Sequence, residues 1–195
     1  MRSVALDVIH DEHQALAAML RSLTMMLAQS RREGTTPDFD VLRAMLFYVD
    51  EFPERLHHTK ESVLLFPKVR ARAPELRPVL ERLEHEHARG EGAIRELQHA
   101  LLAYEVLGEP RRAAFEEAVQ QYVTFYLEHM TVEERDVIPA AQRVFGPQDW
   151  AEIDAAFAAN RDPLTGHEPA DEYRQLFKLI VAHAPAPIGL GEARH

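Results

Sequence analysis

Two stretches of this chain lie on one another without a gap: HHTKESVLLFP, from His57 to Pro67, and HMTVEERDVIP, from His129 to Pro139. Each reads His, three residues, Glu, then five residues to Pro, with Thr two places after the His. Each follows a stretch in which a histidine comes after acidic residues, DEH ending at His13 and HEH ending at His87. The chain therefore reads as two similar helical hairpins, each offering one His and one His-x-x-x-Glu. Residues four apart on a helix share a face, their Cβ atoms about 5–6 Å apart. Four histidines and two glutamates can then meet at one interior point.

The rest of the chain supports helices throughout. Apolar residues recur at helical spacing and no stretch alternates as a half-buried strand would. A first helix is expected over about Val4–Ala28, with Leu6, Ile9, His13, Leu16, Leu20 and Leu27 near one face. RREGTTP is a turn, after which Thr36 can cap the second helix with Pro37 at its first position. That helix meets Pro53 and resumes as ERLHHTKESVLLF, the proline kinking or dividing it. A third helix is expected from Pro74 or Glu75 to about Tyr104, a fourth over Arg111–Val144, a fifth over Gln148–Asn160 and a sixth over Asp171–His183. The fold class is all-α: an up-down-up-down four-helix bundle over 1–146, two additional C-terminal helices packed on it over 147–183, and a disordered tail over 184–195.

The formal net charge of −10 argues against nucleic-acid or anionic-membrane partners, which need a concentrated positive face. The absence of cysteine excludes disulfides, thiolate-bound zinc, iron–sulfur clusters and thiol nucleophiles together. Asp7, His10, Asp11 and Glu12 interrupt the first apolar run, so neither a signal peptide nor a membrane span fits there and a cytoplasmic protein is expected. Six metal-binding side chains would be costly to bury alone. Nitrogen and oxygen donors without sulfur suit iron, manganese or zinc, and two carboxylates suit a pair of ions bridged by Glu61 and Glu133.

The order His13, His57-x-x-x-Glu61, His87, His129-x-x-x-Glu133 resembles the hemerythrin-like (HHE cation-binding) family over about Val4–Val144, and HHTKESVLLFP and LEHEHARG are similar to its local phrases. The resemblance implies a four-helix bundle holding two iron ions, oxo- or hydroxo-bridged, with His13, His57, His87 and His129 as terminal ligands and the two glutamates as bridges. It also implies a small redox ligand: oxygen, nitric oxide or peroxide. The oxygen-carrying members have His-x-x-x-His on the third helix, where His87 is followed by Glu91, and their fourth-helix acid falls at Glu134. The missing fifth histidine weighs against simple oxygen carriage. It leaves either a position open to a small ligand or Glu91 in that place.

His10 and His85 are rivals of His13 and His87 for ligation, whereas His58 is expected to point away from the site. Tyr48, Tyr122, Tyr126, Phe47, Phe52, Phe66, Phe115 and Phe125 are expected in the core, and Gly90 and Gly92 permit either a close helix approach or room for a ligand. The leading reading is a di-iron protein that binds or senses a small redox ligand, rather than a dedicated enzyme, as a monomer or homodimer. The alternatives are a di-iron enzyme acting on peroxide, an iron donor for iron–sulfur cluster repair (weakened by the lack of cysteine), and a helical signalling module presenting Tyr173, Leu176, Phe177 and Ile180.

Overall fold

The first helix, α1 (Val4–Glu33), starts where the Asp154 carboxylate accepts from the Ala5 N–H at 2.9 Å and from Ser3 Oγ at 2.5 Å. An anion there offsets the positive end of the helix dipole. The helix runs past its expected end to Gly34, whose φ of 65° lets its N–H turn back to the Arg31 carbonyl. The computed structural model describes residues 3–190, and no β-strand occurs among them. None of its helices is long and apolar enough to cross a membrane.

The second rod, 39–72, opens as α2 (Phe39–Val49). Its cap is Asp38, whose side chain accepts from the N–H groups of Asp40 and Val41, and not Thr36. Asp38 wins because its carboxylate reaches both free N–H groups and Pro37 stays outside the helix. Neither Pro53 nor Pro67 divides the rod. A proline lacks an N–H and its ring presses on the carbonyl four residues back. Here wide π-helical turns, Asp50–His57 and Glu61–Leu65, absorb that conflict on either side of α3 (His58–Lys60), before α4 (Phe66–Arg72). The His58 N–H reaches the Pro53 carbonyl and the Phe66 N–H that of Glu61, each five residues back.

The fourth rod repeats the device: α6 (Arg112–Val132) passes into the wide turn Glu133–Val137 and then α7 (Ile138–Val144), with the Ile138 N–H on the Glu133 carbonyl just before Pro139. The third rod is α5 (Arg77–Leu107), entered through a single 3-10 turn, Pro74–Leu76. The sequence repeat is thus also a repeat of backbone geometry, and in both halves the Glu of His-x-x-x-Glu opens the wide turn. Such turns recur at functional sites.

The bundle has two apolar cores. One is built on Leu20, Leu42, Met45, Ile94, Phe115 and Val119, the other on Ile9, Phe66, Val69, Leu83, Val137 and Phe157. Every rod passes from one core to the other at its histidine: α1 between Ile9 and Leu16, the second rod between Phe52 and Leu65, α5 between Leu83 and Ile94, and the fourth between Tyr126 and Val137. The result is the up-down-up-down bundle, with a polar layer clamped between two apolar ones.

Beyond it, α8 (Pro147–Phe157) packs on α1 and sends Ile153 and Phe157 into one core, while α9 (Arg174–His183) packs on α2 and sends Phe177 and Ile180 into the other. The face Tyr173, Leu176, Phe177 and Ile180 is therefore used in packing. Residues 184–190, expected to be disordered, fold back: Ser22 Oγ donates to the Pro185 carbonyl at 3.2 Å and the Leu190 N–H to that of Val181 at 2.7 Å. The remainder of the expected tail, 191–195, lies outside the described residues. Phe47 is 41 % exposed rather than in the core.

The link between α8 and α9 is pinned by a buried bond from Tyr48 Oη to Asp162 Oδ2, 2.6 Å. Burial pushes the Asp162 carboxyl up to about 6 despite the bonds it accepts from Tyr48 and the Leu164 N–H. An acid whose folded pKa lies above its unfolded value costs stability as pH rises through that interval. The wild-type chain should lose on the order of 3 kcal/mol from this group between about pH 4 and pH 6. Urea unfolding across that range should show Asp162→Asn free of this loss; parallel curves for the two proteins would contradict it.

Candidate metal centre

The six residues singled out by the repeat meet in the polar layer, all buried: His13 from α1, His57 and Glu61 from the second rod, His87 from α5, His129 and Glu133 from the fourth. The imidazoles form two pairs, His13 Nε2 lying 3.1 Å from His57 Nε2 and His87 Nε2 lying 2.9 Å from His129 Nε2. Each carboxylate spans both pairs. Glu61 places Oε1 3.3 Å from His57 Nε2 and Oε2 3.6 Å from His87 Nε2. Glu133 places Oε2 3.4 Å from His13 Nε2 and Oε1 3.2 Å from His129 Nε2.

A seventh group joins them. His58, expected to point away, is buried and lies with Glu61, His87 and His129 close enough for one ion, while His13, His57 and Glu61 form the other such group. The reason is geometric. Neighbouring residues on a helix both face inward when the inward direction falls between them. The His57 and His58 rings stand 79° apart and serve opposite halves of the site. His58 stacks between His87 at 4.4 Å and Tyr126 at 5.4 Å. Its sequence signal is Glu54, four residues before it, which accepts from His58 Nδ1 at 3.2 Å.

The same pattern holds around the ring. Every one of these histidines aims Nε2 inward and ties Nδ1 to a polar side chain: His57 to Glu12 at 2.6 Å, His129 to Glu86 at 2.9 Å, His13 to Glu134 at 3.2 Å and His87 to Ser62 at 2.8 Å. Such partners fix the tautomer and aim of a metal-binding imidazole. Glu12 and Glu86 each immediately precede the first histidine of their hairpin, so the repeat extends to the supporting residues, a signal present in DEH and HEH.

The other candidates fall outside. His10 and Glu134 are 57 % and 45 % exposed on their side chains and pair with each other, Glu134 also holding His13 from behind. Glu91 is 54 % exposed and paired with Arg95, and His85 is exposed. His99 and His183 are exposed, His167 is half-buried, and His195 lies outside the described residues.

Among the described residues the inner oxygens have no hydrogen-bond partner. Both oxygens of Glu61, both of Glu133 and His58 Nε2 are buried without a hydrogen-bond partner. Burial alone would keep the histidines neutral. For His129 the Glu133 carboxylate and its bond to Glu86 outweigh burial and push the ring up to about 9. His57 is raised by Glu61 and Glu12, and His13 by Glu133 and Glu134, in both cases against burial. Glu133 is held well below the usual carboxylate range, since His129, His13 and His87 overcome its burial. His58 goes the other way: burial, then the charges of His87, His57 and His129, hold it neutral. Two buried carboxylates facing five imidazoles form a donor set that suits cations.

Behind His58, Tyr122 donates to Glu54 Oε1 at 2.7 Å and Tyr126 donates to the same oxygen. Burial pushes Glu54 up to about 7 against the pull of both tyrosines. Gly90 makes the approach possible: a Cβ there would stand 1.8 Å from Tyr126 Oη and 2.9 Å from Glu54 Oε1, whereas one at Gly92 would meet nothing within 4 Å. The two substitutions should therefore have opposite signs. Gly92→Ala should gain up to about 1 kcal/mol from helix propensity, and Gly90→Ala should lose about 1–3 kcal/mol as Tyr126 is driven off Glu54. Denaturant midpoints of the two variants check this, and equal shifts would refute it.

The model of one protein family, the hemerythrin HHE cation-binding domain, matches residues 4–141. No curated protein and no solved structure matches the chain.

Proposed function

The chain belongs to the hemerythrin HHE cation-binding family, and from that premise we propose that it is a cytoplasmic di-iron protein that binds or senses a small redox ligand such as oxygen, nitric oxide or peroxide. One observation carries the reading: the four carboxylate oxygens of Glu61 and Glu133 are buried without hydrogen-bond partners, and each carboxylate spans both groups of histidines. Two ions bridged by these acids fit that arrangement. His13 and His57 would hold one, and His87, His129 and His58 the other.

His58 fills the place of the fifth histidine that spacing along α5 left vacant, and Glu91 has no part in the site. Bound iron would supply a redox-active, ligand-binding position. The chain's own contribution is to aim the imidazoles through their Nδ1 partners and to keep water out with Phe66, Phe157 and Leu83, all buried. Five histidines and two glutamates exceed the four ligands that a structural zinc takes, which favours a pair of ions. The Tyr122–Glu54–Tyr126 network favours a second reading, turnover of peroxide, because it places an acid that titrates near neutrality behind a ligand imidazole.

Protein made in iron-supplied cells should carry about two irons per chain, as carboxylate-bridged bundle sites do, with an absorption band in the near ultraviolet. Glu61→Ala should lose the pair while keeping its helical circular dichroism. His58→Ala should release one of the two ions to a chelator ahead of the other. A wild-type protein with a single tight zinc, or with no metal, would end the di-iron reading.

A further inference from the structure

The family match stops at residue 141, yet the chain beyond it reaches the site. Asn160, just after α8, is buried, and its Nδ2 donates to Glu12 Oε2 at 2.9 Å. That oxygen is the one that accepts from His57 Nδ1 at 2.6 Å. Asn160 Oδ1 in turn accepts from Lys60 Nζ, which also bonds the Ala156 carbonyl at 2.8 Å. A buried line of hydrogen bonds thus runs from the extension through Glu12 to His57.

The equivalent acid in the other half is held differently. Glu86, on His129, takes its second bond from Arg82 one turn back on its own helix, at 2.6 Å, and that arginine is half exposed. Among the described residues no arginine bonds Glu12; its second bond comes from Asn160. Without that amide, a carboxylate buried beside Leu16, Phe52 and Pro53 would have one donor and freedom to swing into the water-sized cavity of about 10 Å³ that it lines with His13, His57 and Asp162.

Resting on the di-iron reading, we propose that Asn160 is a positioning residue of the metal centre, holding Glu12 so that His57 keeps its Nδ1 proton and presents Nε2 to the ion shared with His13. The extension is then a working part of the site, and the two ions differ in what holds their ligands.

Three variants test it: Asn160→Leu, the milder Asn160→Ser, and Asp154→Ala, which loosens α8 at its contact with Ser3 and Ala5 without touching Glu12. In the iron-loaded protein, release to a chelator should become about 10–100-fold faster for one of the two ions in both Asn160 variants, the usual effect of losing such a support, and stay at the wild-type rate in Asp154→Ala. In the metal-free protein, nitrogen-15 NMR should show the hydrogen-bonded His57 Nδ1–H signal weakening and exchanging faster with solvent in the Asn160 variants only. Unchanged release with an unchanged His57 signal would overturn the proposal. So would equal acceleration in Asp154→Ala, which would mean that α8 acts merely as packing. If the wild type held no iron, the di-iron reading would fail and the NMR comparison alone would decide the role of Asn160.

Discussion

The structure turns on two buried carboxylates. Glu61 and Glu133 sit between two apolar cores, where an unpaired charge costs several kcal/mol and nothing apolar can offset it. The histidines around them have their Nδ1 atoms committed outward to Glu12, Glu86, Glu134, Ser62 and Glu54, which leaves only Nε2 to face the acids. Five inward Nε2 atoms and four inward oxygens form a concave shell that suits cations once the raised imidazoles give up their inner protons. Cations balance that shell. The apolar layers then act as its walls: they hold the four rods at fixed separation and deny water to the acids.

Much of this was legible in the sequence because helices make spacing into direction. His57 with Glu61, and His129 with Glu133, share a face by the four-residue rule, and the duplicated phrase made the pairing hard to attribute to chance. The bundle order followed from turn residues such as Gly34 and Gly108, both with positive φ. Boundaries were less legible. Asp38 took the cap from Thr36 because the outcome depends on which side chain finds a free N–H, a matter of one residue. His58 was misjudged because a periodicity argument assigns each residue one face, whereas a rod surrounded by neighbours has an inward direction that can fall between two residues. The wide turns were hidden too: Pro53 and Pro67 signal a conflict in the helix, and the sequence does not say whether the chain breaks or widens.

Asn160 and Asp162 had no local signal at all. Their partners, Glu12 and Tyr48, lie more than a hundred residues away, and the contact exists only because α8 packs on α1 and the following linker then crosses the second rod. Long-range polar contacts of this sort are where a sequence reading necessarily stops, since neither periodicity nor capping constrains them.

The duplication also exposes where the halves part company. His57 and His129 both lean on a glutamate that immediately precedes the partner hairpin histidine. His13 and His87 both lean on the residue after the opposite bridging acid, but that residue is Glu134 for one and Ser62 for the other. A carboxylate raises the basicity of an imidazole more than a hydroxyl does, because it bears a full charge. One half therefore has two histidines, both backed by glutamate; the other has three, His129 and His58 backed by glutamate and His87 by a hydroxyl. Two histidines on one side and three on the other, one of them backed by a hydroxyl, make the two positions chemically unequal. The His13–His57 side, with one histidine fewer, is also the side that borders the small cavity lined by Phe52 and Asp162.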